Sequence, residues 1–143
     1  MPAWIDAGFA EYAARMPREM RVELIALKPA PRSAGAGRAI EAEGKRILAA
    51  VPAGCTAVAL DERGAPVTTM ELARRLARWR QSARDVAFLV GGADGLAQSV
   101  KESSDAVWSL STLTLPHGLA RVVLAEQLYR AASILHNHPY HRE

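Results

Sequence analysis

All four histidines of the chain, His117, His136, His138 and His141, lie in the carboxyl-terminal stretch that begins at position 117. Arg121, Arg130, Tyr140 and Arg142 stand beside them. Imidazoles titrate near neutrality and guanidiniums are fixed cations, so this stretch has the makings of proton transfer next to anion recognition. Pro116 suits a helix start, which sets His117 against unsatisfied amides and a positive dipole end and favours the neutral, base-competent imidazole. Glu126 and Arg130 are four apart and can pair on one helix face, leaving the guanidinium aimed at phosphate or a carbonyl. An ordinary surface ion pair has the same spacing. A zinc site among His136, His138 and His141 fits poorly, because Pro139 interrupts the helical register and no acidic or thiol ligand is close in sequence. No metal is expected. A second feature is Gly91-Gly92 after the apolar run Val86 to Val90. It can be a place where backbone approaches a ligand, an anion nest, or simply a tight turn. No GxxxxGK[ST] occurs, and the GxGxxG spacing is incomplete, so nucleotide triphosphatase and dinucleotide folds are disfavoured.

These residues must be held by one modest domain. The chain has 143 residues, 50% of them apolar, which is enough for a single core. No apolar run approaches the ~20 residues that span a bilayer, and the amino terminus lacks the order of a secretory signal. A cytoplasmic protein with no membrane partner is expected. Cys55 is the sole cysteine and reads as a small hydrophobe of a reducing compartment. The formal charge of +3 comes from arginine, since only Lys28, Lys45 and Lys101 are lysines. That balance favours a polyanionic partner, while solvated arginine faces are the plainer account. Arg74, Arg75, Arg78, Arg80 and Arg84 around Trp79 pose the same choice between an RNA footprint and a solvated face.

Apolar periodicity predicts a helix over Pro2–Met16 and a strand over Arg21–Leu27, with a loop through Pro29, Pro31, Ser33 and Gly35. It predicts a second helix over Ala39–Val51 and a doubly buried strand over Cys55–Leu60, with Asp61–Pro66 as exit loop. A helix from Thr69 to Arg80, a strand over Val86–Val90 and a helix from Leu96 to about Ser104 follow. The last strand and turn cover Val107–Leu115 before a long helix from Pro116. Alternation of this kind implies an α/β fold, a mostly parallel sheet with helices on both faces. Ligands then bind beyond the carboxyl ends of strands, after Leu60, Val90 and Trp108.

At those places the segments Phe88–Leu96, Trp108–His117 and Arg121–Arg130, with the ending Asn137–Glu143, resemble the RlmH family of SPOUT methyltransferases. The likeness runs from Met1 to Glu143 and is most specific in the last third. It implies one methyltransferase domain, 1–143, with a carboxyl-terminal trefoil knot. It implies N3-methylation of a pseudouridine in large-subunit (23S) ribosomal RNA, with S-adenosylmethionine as cofactor and the assembled ribosome as substrate particle. Motif matching places that cofactor against Leu60, Gly91, Gly92, Leu110, Ser111, Thr112, Leu113, Thr114 and Leu115. Removing the proton of a ring nitrogen between two carbonyls needs a base, His117 or His141. Glu126, Arg130, Tyr140 and Arg142 complete the expected catalytic set, with Tyr140 stacking on an extruded base and Arg142 clamping backbone. The family implies a homodimer with a composite site, and apolar residues on several faces of the last helix are expected to supply the contact. Family members usually begin with a further strand of roughly a dozen residues, so a sheet short of one strand with an unpaired edge is expected. A noncatalytic RNA- or ribosome-binding knotted module is the alternative.

Overall fold

A computed structural model describes residues 1–142. Two compact units divide the chain: residues 25–66 with 84–117, and residues 1–24 with 67–83 and 118–143.

The sheet belongs to the first of these. Strands β1 (Thr56–Pro66), β2 (Val86–Val90) and β3 (Ala106–Ser109) pair in the order β2-β1-β3, all parallel. Parallel neighbours require crossover segments, which is why the chain alternates strand and helix. β1 is central, and its Ala57, Val58 and Ala59 are buried at 9%, 0% and 0% exposure, as a strand covered on both faces demands. Ala57 and Ala59 point one way, to Leu89, Leu96, Ala97 and Val100. Ile40, Ile47, Leu48 and Val51 of helix α2 (Ala36–Ala50) and its exit pack on that cluster. Helix α4 (Gln98–Ser103) comes close enough to α2 that a Cβ on Gly44 would lie 2.9 Å from Ala97 Cβ. Gly44 thus trades helix propensity for a close helix contact. The α/β class with a parallel sheet flanked by helices is as expected, and the central place of β1 is consistent with a SPOUT knot.

The other unit is helical: α1 (Ala3–Arg15), α3 (Thr69–Gln81) and α5 (His117–Leu135), the last beginning at the end of the sheet unit. α3 starts at a capping box in which Thr68 Oγ1 accepts from Glu71 N at 3.1 Å and Glu71 Oε2 accepts from Thr68 N at 3.2 Å. Thr69 Oγ1 bonds Gln127 Oε1 at 2.6 Å, tying α3 to α5. Gly118 of α5 meets the Ile5 side chain of α1, and Gly8 of α1 meets Val122. Short 3-10 turns cover Arg18–Met20 and Pro139–Arg142.

Three expectations need correction. The segment Arg21–Leu27 is not a strand; Leu24, Ile25 and Leu27 are 42%, 56% and 40% exposed. Its β-rich composition creates no ladder because no strand lies beside it among the described residues. Residues 61–66 are not a simple exit loop: Leu60 and Ala65 both pair with Trp108, so the chain bulges out between them and returns to β3. Gly64 permits that return, since a Cβ there would lie 2.7 Å from the Trp108 carbonyl carbon. Pairing in β3 ends at Ser109, well short of Leu115. Along α5 every residue is buried or half-buried. Its many apolar faces are at least half covered within the chain, and the large exposed apolar side chains are Met1, Trp4, Leu24, Ile25, Leu27, Met70 and Leu113.

Candidate functional site

Register builds the first cluster. Leu60 is level with Val90 on one side and with Trp108 on the other. The segments that follow, from Asp61, Gly91 and Leu110, therefore emerge near one another at the sheet's carboxyl edge, where open α/β sheets bind ligands. Phe88 and Trp108 keep their rings 6.5 Å apart across the strands beneath. The Gly91–Gly95 turn closes through Gly95 N bonding Gly92 O at 3.0 Å, with Gly95 at φ +87°. A Cβ on Gly91 would stand 2.5 Å from Gly95 C and 2.9 Å from Leu96 N, so the turn's own backbone demands glycine there. Gly92 differs, because its Cβ would meet only the Glu43 carboxylate, 3.2 Å away.

The third loop, Leu110 to Leu115, is held by its own polar groups. Ser109 Oγ donates to Ser111 O at 2.7 Å, Ser111 Oγ accepts from Leu113 N at 2.9 Å, and Thr114 Oγ1 donates to Glu62 Oε2 at 2.9 Å. The carbonyl of Ser111 and the amide of Leu113 are thus engaged within the loop. Thr112 and Thr114 are exposed, Leu110, Ser111 and Leu115 are half-buried, and Leu113 is 73% exposed. A leucine held out at a loop beyond the strand ends offers an apolar wall to a ligand, so the residues present fit a cofactor with an aromatic base. Lys101 and Asp61 pair at 3.4 Å. His117, half-buried, opens α5.

The second cluster is in the helical unit and centres on Glu126. Arg130 Nε donates to its Oε2 at 3.0 Å, with Nη2 2.9 Å from the same oxygen; Tyr140 OH donates to Oε2 at 2.7 Å, and Gln127 Nε2 to Oε1 at 2.7 Å. The bond to Glu126 raises the Arg130 guanidinium above its ordinary value. Burial first, then the bonds to Glu126 and Tyr12, hold the Tyr140 phenol well above the usual tyrosine range. Tyr140 is not an open platform: its ring lies 4.5 Å from that of Tyr129, with the Arg130 guanidinium 4.8 Å from its centroid. Arg15 completes the stack, 5.3 Å from the Tyr12 ring and 5.7 Å from that of Tyr129.

The structure therefore brings together Glu126, Arg130 and Tyr140, with His141 and Arg142 in the same terminal turn. His141 Nδ1 is buried and without a hydrogen-bond partner among the described residues. Arg142 is exposed. His136 and His138 stand aside, the first 3.3 Å from Glu19 and the second accepting from Tyr140 N at 3.2 Å. Arg74, Arg75, Arg78, Arg80 and Arg84 are all exposed around a half-buried Trp79. Sequence reasoning passed over Tyr12, Arg15, Tyr129 and Glu43. Spacing offered a hint only for the first two, three apart on α1. Among the described residues no three His, Cys, Asp or Glu side chains are grouped to hold a metal, and no helix is long and apolar enough to cross a membrane. A pocket of about 180 Å³ beside Arg15, Tyr129 and His136 is too small for a nucleoside cofactor.

Comparison with known proteins places the whole chain. Residues 1–141 match a family model described as a predicted SPOUT methyltransferase. The ribosomal RNA large subunit methyltransferase H of Ralstonia pickettii is 54% identical, over 99% of this chain and 92% of its own length. The proteins of the same name from Burkholderia multivorans and Burkholderia mallei are 56% identical over the same shares.

Proposed function

Since this chain belongs to the SPOUT methyltransferase family, we propose that it uses S-adenosylmethionine to methylate N3 of a pseudouridine in 23S ribosomal RNA. It acts in the cytoplasm as one domain, 1–143, on the assembled ribosome. The observation that carries this reading is the level register of Leu60, Val90 and Trp108, from which three loops emerge side by side. Leu60, Gly91, Gly92 and Leu110 through Leu115 would hold the cofactor, whose sulfonium supplies an electrophilic methyl group.

The chain's own residues supply the rest. N3 of the base would give its proton to an imidazole nitrogen, which frees the N3 lone pair for the methyl group that the sulfonium would supply, the electrons of the sulfur–carbon bond staying with sulfur. The buried, unpartnered Nδ1 of His141 supports that residue as the proton acceptor; His117 is the other candidate. Arg130, held by Glu126 and flanked by Tyr140, is a cation of fixed orientation for the developing negative charge on the flanking carbonyls. Arg142, exposed, is suited to backbone phosphate.

A two-fold homodimer joins the two clusters into a composite site. The half-buried faces of α5 and the exposed Trp4 and Met70 offer apolar surface for it. Light scattering at micromolar concentration should give twice the chain mass, and a monomer would overturn the dimer. The test of function is methyl transfer to ribosomes that lack the modification, with mass mapping of the product. Incorporation at one pseudouridine is expected. Ribosome binding with no uptake of the cofactor by calorimetry would instead establish a noncatalytic module.

A further inference from the structure

The segment from Lys28 to Gly35 has the composition of a free loop, yet it is fastened at three points. Glu43 Oε2, from the middle of α2, accepts from Ala30 N at 2.9 Å. Arg46, one turn further, donates from Nη1 to Lys28 O at 2.7 Å. Arg32 forms an ion pair with Asp94, inside the glycine turn. Ala30 itself is 8% exposed, so the loop is anchored at that residue while its neighbours stay exposed.

Glu43 also faces the turn directly, its Oε1 lying 3.2 Å from the place a Gly92 Cβ would occupy. One carboxylate thus bonds to the strap and fills the space that a side chain at Gly92 would take. A carboxylate that accepts a backbone amide in partly buried surroundings makes a stronger bond than a neutral acceptor, and its loss releases the segment it holds. The Arg32–Asp94 pair closes the same arrangement from the outer side, where solvent screening makes it weaker.

We propose that Glu43 is a positioning residue for methyl transfer, fixing the 28–32 strap and the Gly91–Gly95 turn in a single arrangement that shapes one wall of the cofactor site. The proposal rests on the assignment of Gly91 and Gly92 to that site. It has a consequence that needs no cofactor: the turn's rigidity depends on a side chain nearly fifty residues away. Neither Glu43 nor Arg32 touches reacting atoms, so the effect is on binding more than on turnover at saturation.

The test compares Glu43→Ala, Glu43→Gln and Arg32→Ala in the full chain. Amide exchange, followed by NMR without cofactor, should quicken on the order of tenfold at Ala30 and across Gly92–Leu96 in Glu43→Ala. Glu43→Gln, whose amide oxygen can still accept from Ala30 N, should restore most of the protection. S-adenosylmethionine affinity by calorimetry should fall about tenfold in Glu43→Ala, with kcat at saturating cofactor changed less than about threefold. Arg32→Ala should loosen the turn alone, and it keeps the test open if Glu43→Ala fails to fold. Unchanged exchange at Gly92–Leu96 in Glu43→Ala, or in Arg32→Ala if only that variant folds, overturns the proposal. Failure of the wild-type protein to bind cofactor would sink the methyl-transfer reading instead, and the exchange data would still decide whether Glu43 holds the turn.

Discussion

Replacing Gly91 by alanine should do far more damage than replacing Gly92, although the two are adjacent and identical. At Gly91 the new methyl would sit 2.5 Å from Gly95 C, 2.7 Å from Gly95 O and 2.9 Å from Leu96 N. Ordinary carbon contacts begin near 3.5 Å, so the far side of the turn must retreat by about 1 Å, and all three obstacles are backbone that cannot rotate away. Overpacking of this severity costs about 2 kcal/mol. For a chain of this length that lowers Tm by roughly 7 °C. A retreat of 1 Å at a cofactor wall should also weaken S-adenosylmethionine binding by tenfold or more. At Gly92 the methyl meets only Glu43 Oε1 at 3.2 Å, the end of a side chain that can yield. Gly92→Ala should shift Tm by less than about 2 °C. Thermal melting by circular dichroism and calorimetric titration of the cofactor read both quantities. Equal melting temperatures for the two variants, or greater loss at Gly92, would refute the argument that the turn's own backbone requires the first glycine.

Glu126→Ala strips the partner from Arg130, Tyr140 and Gln127 together. It should cost about 2 kcal/mol by denaturant titration and lower kcat more than cofactor affinity. The Tyr140 phenol is raised in the folded chain, so its protonated form is the one that folding favours. That contribution is complete below the ordinary tyrosine value of about 10 and is lost as pH climbs from there through the raised folded value. Denaturation midpoints should fall above about pH 10, and Tyr140→Phe should flatten that slope. Thr68→Ala removes the α3 cap and should cost about 1 kcal/mol, with the methyl-transfer rate at 25 °C unchanged.

Much of the fold was legible because its signals are local. Val86–Val90 is a strand with the limits its apolar run gives, and α3 starts at Thr69 as expected, although the Thr68–Glu71 cap that fixes that start was not singled out. The site was legible in parts. Glu126 and Arg130 pair as their spacing implies, and Gly91 is required by a turn. Tyr140, expected to stack on an extruded base, has its ring tilted against that of Tyr129 at 4.5 Å, a contact that spacing did not announce.

Residue order alone determined which stretches can be helix or buried strand, and which residue types meet within a turn of one another. It also carried the four segments that mark the family. Only tertiary structure decided that Arg21–Leu27 has no neighbour to pair with, that the chain returns to β3 at Ala65, and that Glu43 reaches both Ala30 and the glycine turn. Propensity and periodicity describe a segment by itself. A ladder, a bulge or a shared carboxylate exists only when residues far apart in the chain supply the second half of the contact, and that half is written elsewhere in the sequence.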